Sequence, residues 1–374
     1  MKPGRLLRVK GMIRKEWLQV IRDPSSIAIA FFLPMLLLLI FGYGVSLDAK
    51  NVRIALVVEQ ADSQSLSFAG GFYQTPYFSP LGLGSIQEAE IALRQSRVDG
   101  IVWLRHNFGR DYLRKDSPPI GLIVNGVDAN TARLIEGYVQ GIWFAWLEQQ
   151  AELAGKKLQS PVQLEQRIWY NPEVRSTDFL VPGVLAVIMT LIGALLTALV
   201  IAREWERGTM EALLVTRISV VEILLGKLIP YFILGMGGLL LSLAMAHSLF
   251  HVPLRGSLWL LLTTSALFLW VALGMGFFIS TIFKSQFVAA LVAMISTFLP
   301  AFILSGFIFD IQSMPPIIRG LTHLIAARYY VSILQTLFLV GDVWSVVLPN
   351  AAALVVMGLF FHGMVYRKTR KNLE

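Results

Sequence analysis

The 374-residue chain contains no cysteine, so neither disulfides nor thiolate metal sites contribute to its fold or chemistry. Charge is scarce as well, at 15% of residues against 55% hydrophobic, far from the balance of a soluble domain. The scarcity is concentrated in six runs, 26–47, 179–202, 228–254, 256–283, 285–309 and 343–366, which hold no Asp, Glu, Lys or Arg at all. Each run exceeds the roughly 20 residues with which a helix crosses about 30 Å of hydrocarbon. Ion-coupled carriers place ionisable groups at membrane depth despite a cost of roughly 2.5 to 3.5 kcal/mol apiece, and the runs offer none. His247, His251 and His362 fall near run ends, where a lone histidine reads as structural rather than as a proton relay. A phosphate loop is missing too. The Gly226-Lys227 pair has Val221 where that motif needs its first glycine, so the chain does not cradle ATP.

What is present is a polytopic α-helical membrane protein of six transmembrane helices, with an extracytoplasmic α/β domain inserted between the first and second spans. The first run has basic flanks like a signal peptide, but at 22 residues and without a small-x-small site before Asp48 it reads as a retained anchor. Six spans put both ends on one side together with 203–227 and Lys284. That side holds sixteen Lys or Arg, whereas the short loops opposite hold Arg255, Arg319 and Arg328. The positive-inside rule then places both termini in the cytoplasm and 48–178 on the opposite side of the membrane.

Taken in order, residues 1–25 space Leu6, Val9, Ile13, Trp17 and Ile21 as one face of a helix lying on the cytoplasmic leaflet, with basic residues elsewhere. Pro24 ends it before the first span (26–47), in which Pro34 is expected to kink the helix. In the 48–178 domain, strands are predicted at 52–59, 100–104, 120–125 and 163–170, and helices at 86–97 and 131–154. Residues 70–84, rich in Gly, Pro and aromatics, read as a surface loop. The domain has no HxxxH and no GxSxG, so it reads as a docking or gating domain, and no catalytic or metal-ligating residue is assigned. Five further spans fill 179–366, interrupted by 310–342, where Pro315 and Pro316 and an uncharged run of only 13 residues (329–341) predict two short helices at, or dipping into, the outer leaflet. A basic tail, 367–374, closes the chain.

The polar stretch 203–227, with four basic and four acidic residues between two spans, is the candidate functional element. Its middle suits a short amphipathic helix opened by Thr209. A loop pinned between two spans can take a push from a soluble partner, because carrying Glu204, Glu206 or Arg207 into lipid is costly and the spans must tilt instead.

Arg203, Glu204, Glu206, Gly208, Thr209 and Glu211, with Glu222, Gly226 and Lys227 downstream, resemble the RE-E-GT-E and E--LGK pattern of permease subunits of bacterial type-2 ABC exporters, in the variety with a large extracytoplasmic domain. Tyr170-Asn171-Pro172, Pro182-Gly183, Ser305-Gly306, Met314-Pro315 and Arg328-Tyr329-Tyr330 extend the resemblance over nearly the whole chain. Asp310 and Ala326 stand where relatives often carry proline, which bears on the shape of the outer gate. The resemblance implies a permease that moves substrate outward on ATP hydrolysed by a cytoplasmic ABC ATPase subunit, which binds the ATP and Mg; this chain has no cofactor. It implies a dimer with a second permease copy or paralogue, with the bilayer and a periplasmic adaptor as further partners and no nucleic acid. Arg203, Glu204, Glu206, Arg207, Gly208, Thr209 and Glu211 would form the ATPase-coupling loop, and Arg14, Lys15, Glu16 and Trp17 the interfacial helix that shares its task. The competing reading is a membrane-tethered receptor or assembly factor acting through its outer domain.

Overall fold

Each of the six apolar runs forms a helix. The structure, a computed structural model, describes residues 3–44, 51–111, 120–126, 129–153, 155, 170, 175–209 and 218–369. The chain divides into two units, one of Leu47–Arg167 and one of Met1–Ser46 with Ile168–Glu374.

The inserted unit runs β1 (Val52–Val58), α3 (Ser63–Tyr73), β2 (Phe78–Leu83), α4 (Ile86–Arg94), β3 (Gly100–Leu104), α5 (Phe108–Asp111), β4 (Ile120–Val124) and α6 (Ala129–Leu153). The sheet order is β2-β1-β3-β4, parallel except for β4. Side chains alternate across it as a strand requires. Val52, Ile54 and Leu56 bury against Phe68, Phe72 and Trp146, whereas Ala55 and Val57 bury against Ala89 and Ala92 of α4. The expected loop at 70–84 is instead the end of α3 and the whole of β2. β2 is an edge strand, where Pro80 can do without an N–H, and Phe78 anchors it in the core. Helix α3 starts at a capping box: Asp62 Oδ1 accepts from Ser65 N at 2.6 Å while Asp62 N donates to Ser65 Oγ at 2.9 Å. The strand expected at 163–170 lies outside the described residues apart from Tyr170.

In the other unit, α1 (Pro3–Ile21) precedes six helices long and apolar enough to span: α2 (Pro24–Gly44), α7 (Ser176–Glu206), α8 (Val220–Ser248), α9 (Leu258–Ile282), α10 (Gln286–Leu304) and α13 (Trp344–Lys368). Helix α7 is buried along nearly its full length. Glycines let its neighbours approach as lipid-embedded helices need. A Cβ on Gly193 would sit 2.4 Å from Ala272 Cβ, and one on Gly276 2.2 Å from the Ala194 carbonyl oxygen. Thr197 Oγ1 adds a hydrogen bond across the same seam, to Leu273 O at 3.0 Å.

Pro34 and Pro300 cannot donate to the residue four before them, and both helices widen into a π-turn just upstream, at Ala28–Phe32 and Met294–Phe298. The Ala30 carbonyl, which Pro34 cannot bond, faces Gly238 of α8, where a Cβ would come within 2.3 Å of it.

Between α10 and α13 come the short helices α11 (Pro316–Leu321) and α12 (Ala326–Leu339). Helix α12 does not lie flat. It inserts among the spans, with Tyr330 fully buried, stacked on Phe268 at 4.2 Å and donating to Ser265 Oγ at 2.6 Å. At about 21 Å for 14 residues it is too short to cross. Asp310 accepts from Gln312 N at 3.1 Å and caps the 3-10 turn Ile311–Ser313, and Ala326 is buried at the start of α12.

Candidate functional site

The stretch 203–227 is helical at both ends: α7 continues to Glu206 and α8 begins at Val220. The Ser219 hydroxyl accepts from Glu222 N at 3.3 Å and the Glu222 carboxylate from Ser219 N at 2.8 Å, a capping box that fixes the start of α8. The short helix expected beyond Thr209, and Glu211 with it, fall on 210–217, outside the described residues.

Each of the four successive residues at the end of α7, Arg203 to Glu206, is held by side chains or backbone from beyond its own helix. Arg203 Nη1 meets Asp23 Oδ2 at 2.7 Å, and its Nε donates to Gln286 Oε1 at 3.3 Å. Glu204 Oε1 takes Lys15 Nζ at 2.7 Å and Lys227 Nζ at 3.0 Å, and its other oxygen accepts from the Thr209 hydroxyl. Lys284 Nζ lies 4.5 Å over the Trp205 ring. Glu206 accepts from Gln286 N at 2.7 Å. One helical turn is thereby bonded to α1, to α8 and to the start of α10.

Helix α1 joins this turn through its buried face of Val9, Met12, Glu16 and Val20. Sequence periodicity pointed instead to Val9, Ile13, Trp17 and Ile21, one position round the helix. Trp17 and Ile21 are exposed, and Ile13 is half-buried. Met12 packs onto Gly226, where a Cβ would lie 2.4 Å from Met12 Cγ. The next residue, Lys227, has no exposed surface and pairs with the equally buried Glu16 at 2.7 Å. Lys15, Glu16, Glu204 and Lys227 form a charge-balanced quartet, which satisfies most of the groups that burial strips of water. A further pair, Arg8 with Glu222 at 2.9 Å, ties α1 to the first turn of α8.

Burial pulls the Lys15 ammonium down, but the hydrogen bond it donates to Glu204 and the charges of Glu16 and Glu204 outweigh this and hold it above its usual range. At Asp23 partial burial pushes the carboxyl up, and hydrogen bonds from Ser25, Arg203 and Ser26 more than reverse this, to about 2. With the folded value below the ordinary 3.8, Asp23 stabilises the fold above the ordinary value, and that stabilisation disappears as pH falls through the folded one. The melting-temperature gap between the native chain and Asp23→Asn will be constant from neutral pH to about 4 and will close toward pH ~2. A gap independent of acidity would show that the carboxylate contributes nothing.

Of the expected coupling residues, Arg203, Glu204 and Glu206 are gathered by this network, while Arg207, Gly208 and Thr209 remain exposed. Gly208 has φ +66, the left-handed region. On α1, Lys15 and Glu16 are in the network and Arg14 and Trp17 face outward. Residue-by-residue reading passed over Asp23, and over Lys227 as a buried partner. The available signal was Glu16, a carboxylate in the middle of the apolar positions 9, 12 and 20, which calls for a cation. Among the described residues no cluster of His, Asp and Glu is arranged to hold a metal.

The sequence pattern described as ABC-2 family transporter protein matches residues 24–367, which takes in every span and the inserted domain. The chain belongs to the ABC-2 transporter family. It is 44% identical, over 98% of each chain, to the "Probable multidrug ABC transporter permease YbhS" of Escherichia coli (strain K12). It is 28% identical to that organism's "Probable multidrug ABC transporter permease YbhR", over 96% of this chain and 99% of the relative. The same identity holds for its "Inner membrane transport permease YhhJ", over 91% and 93%. The chain is accordingly a permease subunit of an ABC transporter, which carries no cofactor and leaves ATP hydrolysis to a partner ATPase. That sets aside the receptor or assembly-factor reading.

Proposed function

We propose that this permease exports amphiphilic compounds across a bacterial inner membrane as one half of a dimer with a second copy or a YbhR-like paralogue, with both termini cytoplasmic. The ATPase docks on the exposed residues Arg207, Gly208 and Thr209 and on the outward face of α1 at Arg14 and Trp17. The observation that carries this reading is the single turn Arg203–Glu206 held at once by α1, α8 and α10. A push on the loop cannot be absorbed locally there, because moving Glu204 alone would leave the two ammoniums of Lys15 and Lys227 to the single carboxylate of Glu16 in a water-poor site. The turn moves as a block and tilts the three spans it joins. The drug-like cargo is inferred from the similarity to the YbhS and YbhR multidrug permeases, and the membrane from the similarity to the inner-membrane permease YhhJ.

The informative variant is Gly208→Val. Gly208 is exposed, with nothing within 4 Å of its absent Cβ, so the substitution disturbs no packing. Its cost is the left-handed backbone, about 1 to 2 kcal/mol for a residue with a Cβ, more than enough to reshape an exposed loop. The folded variant will insert normally and lose at least about tenfold of the permease-stimulated ATPase rate of its partner. Stimulation at the native level would remove the loop from the mechanism. Glu204 is a poorer probe, because its replacement breaks the quartet and confounds coupling with folding.

A further inference from the structure

The short loops on the side opposite the coupling site hold three basic residues, and one of them, Arg328, folds its guanidinium back onto the backbone of another, Arg319. Arg328 Nη1 lies 3.4 Å from the Arg319 carbonyl oxygen and 3.0 Å from His323 Nδ1. The Arg319 guanidinium reaches Met314 O at 3.4 Å, while its Nε is buried without a hydrogen-bond partner. Among the described residues neither arginine has a carboxylate partner. Every other basic side chain of the network at the opposite end is met by an acid or, at Lys284, by an aromatic face. Two guanidiniums with no carboxylate from the protein beside them can be met by an anion from outside it.

The surroundings say what kind of anion. Helix α11 and the turn after it present Ile317 at 81% exposure, Leu321 at 52% and Leu324 at 73%, on the segment that carries Arg319 and His323. Exposed aliphatic side chains interleaved with arginine form an interfacial anchor, with apolar groups at acyl-chain depth and guanidiniums at the level of the headgroups. A planar guanidinium with free N–H groups matches a phosphate diester.

We propose that Arg319 and Arg328 bind the phosphate of an anionic phospholipid, whose acyl chains lie along Ile317, Leu321 and Leu324. Its position is the leading edge of α12, so an occupied site braces the inserted helix at its entry among the spans. The assignment to the outer leaflet rests on the orientation proposed above; the binding itself does not.

The test uses the full chain, delipidated in detergent and titrated with phosphatidylglycerol or with phosphatidylcholine of the same acyl chains, with bound lipid counted by native mass spectrometry. The native protein will hold one phosphatidylglycerol that tolerates about tenfold more competing phosphatidylcholine than any site in Arg319→Gln. Arg319→Gln forfeits only one long hydrogen bond, so its folding is not at stake, and Arg319→Lys will keep the preference. Arg14→Gln/Arg22→Gln, on the basic helix at the opposite end, will leave this increment in place, which separates the site from the larger cationic surface there. Equal retention of the two lipids by the native protein, an undiminished preference in Arg319→Gln, or equal displacement by inorganic phosphate would each overturn the proposal.

Discussion

Lys227→Met will be among the most destabilising single substitutions in this permease, by about 3 to 5 kcal/mol, because it removes the central cation of a buried quartet and leaves two carboxylates facing each other. Lys227 Nζ touches both Glu16 and Glu204, at 2.7 and 3.0 Å, from a side chain with no exposed surface. Lys15 cannot take over. It already pairs with Glu204 at 2.7 Å, its contact to Glu16 is 3.2 Å, and its side chain is 46% exposed, so water screens what it offers. The effect belongs to the unpaired charge and not to the lost methylenes, which methionine nearly replaces. The double variant Lys227→Met/Glu16→Met should therefore recover most of the loss, since removing both members of a buried pair is often close to neutral. Denaturant unfolding in micelles of the native chain, both single variants and the double measures that coupling. Additive losses would mean that Lys227 and Glu16 act independently, against the pairing described here.

This result also bears on which parts of the protein can be read from its sequence. The spans could be read because a run of 22 or more residues without charge has no other stable place. Their ends could not. Glu222 and Lys227 look like loop residues, yet α8 starts at Val220, because their charges are met by Arg8, Glu16 and Glu204 from elsewhere in the chain. Lys227 and Glu16 are 211 positions apart, a pairing to which neither periodicity nor composition has access. In the inserted unit, β1, β3 and β4 were evident from their Val and Ile content. β2 was concealed by Pro80 and Gly82, residues that an edge strand tolerates and a central one does not. The loop residues Arg203 to Thr209 were legible as a motif. What holds the first of them, and which stay exposed, became apparent only from the packing.

Gly276→Ala carries the second large expected effect, and the sign turns on which atoms are in the way. In an exposed helix interior the change would favour the helix by about 1 kcal/mol. Here the new methyl group would lie 2.0 Å from Thr197 Oγ1 and 2.2 Å from the Ala194 carbonyl oxygen. Threonine can turn; the carbonyl belongs to the backbone of α7, the span on which the others pack, and cannot. The helices must therefore separate along the seam, which also breaks the 3.0 Å hydrogen bond from Thr197 to Leu273 O. Overpacking of this kind costs about 1 to 3 kcal/mol or more, so the clash outweighs the propensity. Gly274→Ala, two residues away and on the other side of the same helix, meets the His362 ring first, at 2.5 Å, a side chain that can shift, and should cost visibly less. The ordering of melting temperatures, native above Gly274→Ala above Gly276→Ala, tests the argument, and a Thr197→Ala background distinguishes its two parts. If truncating Thr197 restored Gly276→Ala to the stability of Thr197→Ala alone, the obstacle would be the hydroxyl. If it did not, the obstacle is the α7 backbone itself, at the seam where α7 and α9 approach.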